Sequence, residues 1–521
     1  MIEKQFAIID IGSNSVRLVI NQIDHNGCYK ELHNYKTVAR LSSHINADGH
    51  FTKKGINILL DTLTRFKDII HFHHVKEVTA IATAAMRKAN NRNQVVELVK
   101  ERLAFDIQIL SEYEEAFYGY LAVVNSTNIK NGYTIDIGGG STEVTFFENR
   151  ELIYYHSFPF GAVTLQQQFV KGEQPTEREL AAIKVFISSQ LKTLSWLQEN
   201  RDYPVIGIGG SARNLSLIHQ RQIEYPLAGL HQYEFSRTEL HNLNKMLQQT
   251  TYEERLSIDG LSKDRADIIV PAAEVISSLV DHVNADTFIM SRKGLRDGIF
   301  YEELLRSMET RYFPNVAEES FYQLSHSYEV NLDHVNHITY LATRLYQELS
   351  ANCSTKHDQK VALQLLKHSA RVLYIGEYIN SEASSQNTFY LVTNMTIEGL
   401  SHQERLAIAF ISSFKSKSQL MQFAKPFKNL LHKKQLKLYE FLGSIMKLAY
   451  CLDRTKRNAV VEIGHIDVND KTFIIPLYYQ EDAHFEDMQA GKHKKHLERA
   501  TGYDIELHYI PSIDLKKPIL T

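Results

Sequence analysis

Tyr133–Thr145 reads Y-T-I-D-I-G-G-G-S-T-E-V-T, and the rest of the chain can be placed around it. An apolar strand runs into Asp136, then come Gly138, Gly139 and Gly140, then Ser141 and Thr142, and Glu143 leads into a returning strand. Glycines let backbone N–H groups approach an anion with no Cβ in the way, and hydroxyls add donors, so this turn suits phosphate. Asp136 and Glu143, at the facing strand ends, could hold the cation that a polyanion brings, because magnesium is bound by carboxylate oxygen. Phe6–Ile20, F-A-I-I-D-I-G-S-N-S-V-R-L-V-I, repeats the plan. A strand ends at Asp10, a polar turn follows through Gly12, Ser13, Asn14 and Ser15, and the returning strand carries Arg17. A second loop of the same design predicts two half-domains facing a shared cleft. The competing reading is two unrelated hairpins with glycine turns.

With 521 residues the chain exceeds one hydrophobic core, and three or four domains are expected. A formal charge of −3 excludes a globally basic nucleic-acid binder, so any polyanion must be met by local groups. Cys28, Cys353 and Cys451 lie far apart without a CxxC pair, which supports neither a disulfide framework nor a zinc site. Met1 passes almost directly into the first strand, and no uncharged stretch of membrane length follows. A cytoplasmic protein with no membrane partner is expected.

Outward from the hairpins, Thr52–His71 has helical apolar spacing and Glu77–Ala82 reads as a strand. That strand ends in small residues and then Arg87, placed at the start of the next helix, whose planar fork suits phosphate oxygens. A solvated helix arginine is the competing reading. In S-E-Y-E-E-A, Ser111 and Glu114 form a capping box, which leaves Glu115 without a structural task. Glu115 shares its helix side with Gly119 and Ala122, whose small side chains leave room for a ligand, so it could serve as general base; otherwise it is a solvated glutamate. Pro175–Glu177 opens an amphipathic helix to about Asn200. The strand Pro204–Ile208 runs into Gly209, Gly210 and Ser211 at a helix N-terminus, where orphan N–H groups attract phosphate. Met290–Phe300, M-S-R-K-G-L-R-D-G-I-F, is another glycine-marked strand-to-helix boundary.

From about Thr310 consecutive helices are expected. A lysine-rich run between Lys415 and Arg457 includes Lys425, Lys428, Lys433 and Lys434, and it reads either as a solvated helix face or as a track for a polyanion. From Ala459 the pattern returns to strands at Val460–Val468 and Thr472–Tyr479, a helical stretch at Glu481–Arg499 and a strand at Tyr503–Ile510.

D-I-G-S-N-S at Asp10–Ser15, S-E-Y-E-E-A at Ser111–Ala116, D-I-G-G-G-S-T-E at Asp136–Glu143 and G-L-R-D-G at Gly294–Gly298 together resemble the exopolyphosphatase / guanosine pentaphosphate phosphohydrolase (Ppx/GppA) family, in its long form. The resemblance implies an α/β fold with two ribonuclease-H-like lobes of the actin- and sugar-kinase-like ATPase superfamily, residues 1–126 and 127–308. It further implies an all-α HD-like domain over 309–458 and a small α+β domain over 459–521. The implied activity is release of orthophosphate from the end of inorganic polyphosphate, or removal of the 5′-terminal phosphate of guanosine pentaphosphate, with Mg²⁺ or Mn²⁺. No nucleic-acid partner is expected, and the resemblance implies a homodimer.

Carried over by residue, Glu115 matches the family's water-activating glutamate and Arg87 its phosphate-binding arginine. Asp136 and Glu143, joined by Asp10, match acidic residues around the metal. Gly12–Ser15 with Arg17, and Gly138–Ser141, match its phosphate loops, and Gly209, Gly210 and Ser211 the superfamily's second glycine signature. Ser369–Ile379, S-A-R-V-L-Y-I-G-E-Y-I, departs from the HD pattern by placing Leu373 and Tyr374 where an active domain needs His and Asp. His334, His337 and His368 therefore read as structural, and no second catalytic site is expected. A phosphotransferase and a nucleotide-binding, actin-like scaffold are the alternatives from other classes.

Overall fold

Phe6, Ala7, Ile8 and Ile9 are all buried, a run with no polar face, which suits a strand covered on both sides. In the computed structural model, which describes residues 3–199, 202–351 and 358–512, that strand is β1 (Lys4–Ile11). Cys353 and Asn200 lie outside the described residues. β1 pairs antiparallel with β2 (Ser15–Ile23), which pairs antiparallel with β3 (Tyr29–Val38). On its other side β1 pairs parallel with β4 (Glu77–Ala82), and β4 with β5 (Ile107–Ile109). Between these strands run α1 (Lys53–Phe72), the short α2 (Ala84–Lys88) and α3 (Arg92–Leu103), and α4 (Glu112–Val124) follows β5. Thr52 caps α1 by accepting from the Gly55 N–H, as an N-cap threonine should.

The second sheet repeats the plan. β6 (Gly132–Ile137), β7 (Thr142–Glu148) and β8 (Glu151–Phe158) form an antiparallel meander. After α5 (Ala162–Phe169) and α6 (Glu177–Leu191), β9 (Val205–Ile208) adds parallel to β6. α7 (Gly209–Gln222), β10 (Tyr233–Ser236), α8 (Arg237–Gln249), α9 (Tyr252–Arg255) and α10 (Ile269–His282) lead to β11 (Thr287–Met290), parallel to β9, with β10 antiparallel at the edge. α11 (Leu295–Arg306) ends the repeat. The orders β3-β2-β1-β4-β5 and β8-β7-β6-β9-β11 correspond strand for strand. α6 stops at Leu191, short of Asn200, and the apolar spacing continues into a 3₁₀ turn at Ser195–Glu199 that buries Leu197.

The two terminal helices are exchanged between the sheets. α4 supplies Tyr120, Leu121, Val123 and Val124 to a core with Phe147, Ile206 and Ile208 of the second sheet. α11 supplies Ile299, Phe300 and Leu304 to a core with Phe6, Ile8 and Ile81 of the first. The two helices cross so closely that a Cβ at Gly298 would lie 2.0 Å from the Tyr118 carbonyl oxygen, so the second glycine of G-L-R-D-G is a packing requirement.

Residues 1–225 and 230–316 form one compact unit, and 226–229 with 317–521 a second. The second contains α12 (Val316–Ser327), α13 (Leu332–Ser350), α14 (Gln359–Arg371), α15 (Ser384–Asn394), α16 (His402–Ser412), α17 (Lys417–Ala424) and α18 (Lys433–Leu452). A sheet follows, with β12 (Val460–Ile463) and β13 (Asp467–Asn469) antiparallel to β14 (Thr472–Tyr479), and β15 (Asp504–Pro511) parallel to β14. The expected single strand Val460–Val468 is broken where the Gly464 N–H turns to the Pro476 carbonyl, 2.9 Å. α19 (His484–His493) and α20 (Lys495–Thr501) precede β15. Among the described residues no helix is long and apolar enough to cross a membrane.

Candidate active site

Both hairpins close in the same way. Gly12 donates its N–H to the Ser15 carbonyl at 3.1 Å, and Gly138 to the Ser141 carbonyl at 3.0 Å. Two further carbonyls of each loop face backing segments. Ser13 O accepts from Ser42 N, and Asn14 O from Ala39 N and Arg40 N. Gly138 O accepts from Ala162 N, and Gly139 O from Val163 N and Thr164 N, all at 3.0–3.1 Å. The N–H groups of Ser13, Asn14, Gly139, Gly140 and Ser141 meet no backbone carbonyl among the described residues. Backbone donors left over in this way are what an anion site needs. Gly161 makes the second backing contact possible, since a Cβ there would fall 2.5 Å from Gly138 O and 2.7 Å from Gly140 N.

The register sets Asp136 opposite Glu143 and Asp10 opposite Arg17. Burial pushes Asp136 up to about 6, and nearby Asp10 adds to this while Arg265 and Arg296 oppose it. Glu143 accepts from Ser157 Oγ at 3.0 Å, and its carboxyl is raised well above the usual range by burial and then by Glu115 and Asp136. Asp10 is bound by Arg296 Nη1 at 2.6 Å, from the first turn of α11.

Ser111 and Glu114 form both bonds of the capping box at the start of α4. Glu115 turns away from that task. Its Oε2 accepts from Arg87 Nη1 at 3.0 Å, and the same Arg87 atom donates to Leu110 O at 2.8 Å. Burial raises the Glu115 carboxyl, Arg87 opposes the rise, and Asp136 and Asp10 add to it, which places these carboxylates in one electrostatic cluster. Arg87 lies in the last turn of the short α2, not at the start of the longer helix, because the chain breaks at Ala89 before α3 begins. The small residues on α4 leave no room for a ligand. Gly119 is buried with Ile208 Cδ1 at van der Waals distance from where its Cβ would be, and Ala122 is fully buried, so they let the helix sit against the second sheet.

The third glycine turn brings an arginine with it. Gly209 has φ +79°, and a Cβ there would meet the Asp136 carboxylate. Over Gly210 lies the guanidinium of Arg265, whose Nη1 donates to Ser211 Oγ at 3.2 Å. Arg265 was not singled out in the sequence, and neither were Arg213, Arg296, Lys36 and Lys88. Burial lowers the basicity of Arg17, Lys36 and Arg265, and neighbouring cations lower it further: Arg296 and Arg213 at Arg17; Arg17, Arg213 and Arg265 at Lys36; and Arg213 at Arg265. Lys88 Nζ donates to Gly140 O at 3.0 Å. The unit therefore sets a group of cations beside a group of carboxylates. None of these cations sits in a basic run; Arg17 and Arg296 stand in the first hairpin and in G-L-R-D-G, Arg213 follows the glycine turn at Gly209 and Lys88 follows Arg87, while Arg265 and Lys36 have no motif around them.

The "Ppx/GppA phosphatase family" matches residues 19–307, more than half of the chain, and "Ppx/GppA phosphatase, domain III" matches residues 316–487. The chain belongs to the Ppx/GppA phosphatase family. It is similar to a guanosine-5'-triphosphate,3'-diphosphate pyrophosphatase of Aliivibrio fischeri, 24% identical over 411 residues, covering 78% of this chain and 79% of that one. It is also similar to exopolyphosphatase 2 of Mycobacterium tuberculosis, 25% identical over 308 residues, covering 56% of this chain and 96% of that one. Among solved structures, an Aquifex aeolicus member of the family matches with TM-score 0.53 at 27% identity, covering 59% of this chain and 99% of that one. An exopolyphosphatase from Cytophaga hutchinsonii matches with TM-score 0.54 at 25% identity, covering 58% and 98%. As a Ppx/GppA phosphatase the protein is a phosphoanhydride hydrolase.

Ppx/GppA phosphatases depend on a divalent metal. Among the described residues no three His, Cys, Asp or Glu side chains form a ready-made cage. Magnesium does not need one, because it commonly takes one or two carboxylates and completes its shell with water and substrate phosphate. Asp136 and Glu143 fit that pattern as facing oxygen donors, whose carboxyls are raised by burial first and then by neighbouring carboxylates.

Elsewhere, His334 Nδ1 pairs with Asp453 Oδ2 at 2.6 Å, His337 Nε2 with Val460 O at 2.7 Å, and the His368 ring packs tilted against Phe321, 4.9 Å between centres. Tyr374 is buried and donates to Phe414 O. Lys425, Lys428, Lys433 and Lys434 are all exposed.

Proposed function

We propose that the protein is an exopolyphosphatase that hydrolyses the terminal phosphoanhydride of inorganic polyphosphate and releases orthophosphate. One observation carries this. Two loops whose Ser13, Asn14, Gly139, Gly140 and Ser141 N–H groups meet no backbone carbonyl among the described residues share a unit with a half-buried carboxylate, Glu115, whose raised pKa suits a general base near neutral pH. The loop N–H groups of Ser13, Asn14, Gly139, Gly140 and Ser141, within Gly12–Ser15 and Gly138–Ser141, hold the terminal phosphoryl oxygens. Arg87 has two roles in turn: it orients Glu115 and then shares the charge that develops on the phosphoryl group. Glu115 takes the proton of the attacking water. Asp136, Glu143 and, more weakly because Arg296 already neutralises it, Asp10 hold the divalent cation, magnesium or manganese. When bound, that cation supplies neutralisation of the phosphate oxygens. Arg17, Arg213, Arg265 and Lys36 meet the phosphates behind the terminal one.

In this reading the two corresponding sheets are ribonuclease-H-like lobes, residues 1–126 and 127–308, and residues 309–458 are an HD-like helical domain without the metal dyad, ahead of the small domain 459–521. The protein works in the cytoplasm, as a homodimer. The exposed lysines Lys425, Lys428, Lys433 and Lys434 hold the tail of a long chain, much as basic grooves track a nucleic-acid backbone. The second reading, hydrolysis of guanosine pentaphosphate, is favoured by the likeness to the Aliivibrio fischeri relative along most of both chains.

The test measures phosphate release from long polyphosphate, a short oligomer and guanosine pentaphosphate side by side, with and without reversal of the four lysines to glutamate. Polyphosphate turnover that becomes distributive and more salt-sensitive, with short substrates little changed, is the expected result. Preference for guanosine pentaphosphate in the unmodified protein overturns the choice of substrate, and processivity that survives the reversals overturns the track.

A further inference from the structure

Lys447 falls within the lysine-rich run between Lys415 and Arg457, but it sits on α18 in the second unit with most of its side chain buried. Its ammonium lies 5.0 Å from the ring centre of Tyr374 and 5.7 Å from that of Tyr450. Among the described residues no carboxylate stands within ion-pair distance of it and no acceptor takes its N–H groups. An ammonium partly desolvated in this way, open only where it meets the cavity, is stabilised by an acceptor placed there. It faces a cavity of about 380 Å³, within the range of small-molecule sites.

The lining explains which acceptor fits. Lys415 and Arg454 stand at the same cavity, both on exposed positions, and both are near enough to disfavour the charge on Lys447. Arg454 also donates to the Tyr450 hydroxyl at 2.6 Å, which fixes it at the rim. Glu377 and Glu382 line the cavity too, and Glu377 is engaged by the Tyr450 hydroxyl at 3.4 Å. Ser384 Oγ and His493 Nδ1, at the wall, are buried without a hydrogen-bond partner among the described residues. Three cations converge with no ion pair to Lys447, and unsatisfied neutral polar atoms stand beside them. An anion with several acceptor oxygens would satisfy the cations, and a hydroxylated organic part would satisfy the wall.

We propose that this cavity is a binding site for a small phosphate ester, with the phosphate on Lys447, Lys415 and Arg454 and the ester's polar part against Ser384 and His493. The volume exceeds what orthophosphate alone needs, and the polar lining suits a sugar better than an apolar tail. The site lies wholly within the second unit and does not depend on the choice between polyphosphate and guanosine pentaphosphate as substrate.

Calorimetric titration of the full-length protein with ribose 5-phosphate, AMP and orthophosphate, at low salt, tests it. Lys447→Met keeps the apolar stem over the tyrosines and removes the charge. The expected result is binding of ribose 5-phosphate or AMP that weakens at least tenfold in Lys447→Met, about 1.4 kcal/mol, while any binding at the phosphate loops is retained. If Lys447→Met melts at a lower temperature, the rim pair Lys415→Gln with Arg454→Gln, both exposed, carries the same comparison. Binding of orthophosphate alone, lost in the same variants, would make the site one for free phosphate and overturn the ester. Titrations that are identical in the unmodified protein and in both variants would overturn the site.

Discussion

Glu114 and Glu115 are neighbours with opposite fates. Glu114 accepts from the Ser111 N–H at 2.7 Å, which holds its carboxyl below the usual range, while Glu115 is half-buried beside Arg87 and raised by desolvation. Glu115→Gln should reduce turnover on the order of 10²–10⁴-fold with substrate binding retained, because the amide cannot take a proton from water. Glu114→Gln should leave a folded enzyme less stable by about 1 kcal/mol, since it weakens a cap and not the chemistry. Steady-state kinetics and thermal melts of the two variants separate the roles. A loss of turnover in Glu114→Gln that exceeds the loss in Glu115→Gln would show the base to be the other carboxylate.

The element that most directly shapes the candidate site is the contact between the loop 138–141 and the start of α5. The helix's first N–H groups occupy the loop carbonyls, so its orphan donors and the loop's acceptors satisfy one another and the loop's own donors are left for phosphate. Gly161→Ala inserts a Cβ 2.5 Å from the Gly138 carbonyl oxygen and must displace backbone, not a flexible side chain. A displaced phosphate loop should cost on the order of 10²-fold in kcat/KM, with a lower melting temperature. Unchanged kinetics in a folded Gly161→Ala protein would remove this loop from the catalytic machinery.

At the scale of the molecule, the carboxylate cluster sets a pH dependence of stability. Asp136 is raised to about 6 and Glu115 and Glu143 are raised further by burial and mutual repulsion, so the folded state binds protons that the unfolded chain releases. Stability from these groups is present below the ordinary carboxylate range and is lost as pH rises through their folded values. Without divalent metal the melting temperature of the unit holding them should fall between about pH 5 and pH 8, and magnesium should restore part of it at the upper end. A melting temperature indifferent to magnesium at pH 8 would move the metal away from Asp136 and Glu143. In the second unit, His334 is the partner of the fully buried Asp453. His334→Ala should destabilise that unit by about 1–3 kcal/mol, because it leaves Oδ2 of a buried carboxylate without its hydrogen-bond partner while Oδ1 keeps the Asn458 N–H. His337→Ala and His368→Ala should cost less. Phosphate release per folded molecule should stay nearly unchanged in all three, as measured below their melting temperatures. Activity lost without loss of folding would give the helical region a chemical role.

The two glycine hairpins, the helix cap at Ser111, the strand Glu77–Ala82 and the turn to helices after Thr310 were legible in the sequence. Each is written in local spacing: apolar period, a turn residue, a capping pair, all within a few positions. Glu115 and Asp136 could be named for the same reason, because they stand inside those local patterns. What the tertiary structure alone decided is what lies opposite them. Arg265 comes over Gly210, Arg296 onto Asp10 and Gly161 under the phosphate loop from tens to hundreds of positions away, and no local spacing, not even that of G-L-R-D-G around Arg296, says which partner each will meet. The same distinction separates Lys447 from its exposed neighbours in the lysine-rich run, and Gly119 from the open space its size suggested. Periodicity shows which side of a helix is apolar, whereas burial of a charge or the filling of a gap depends on which other element arrives there, and that is settled only when the sheets and helices pack.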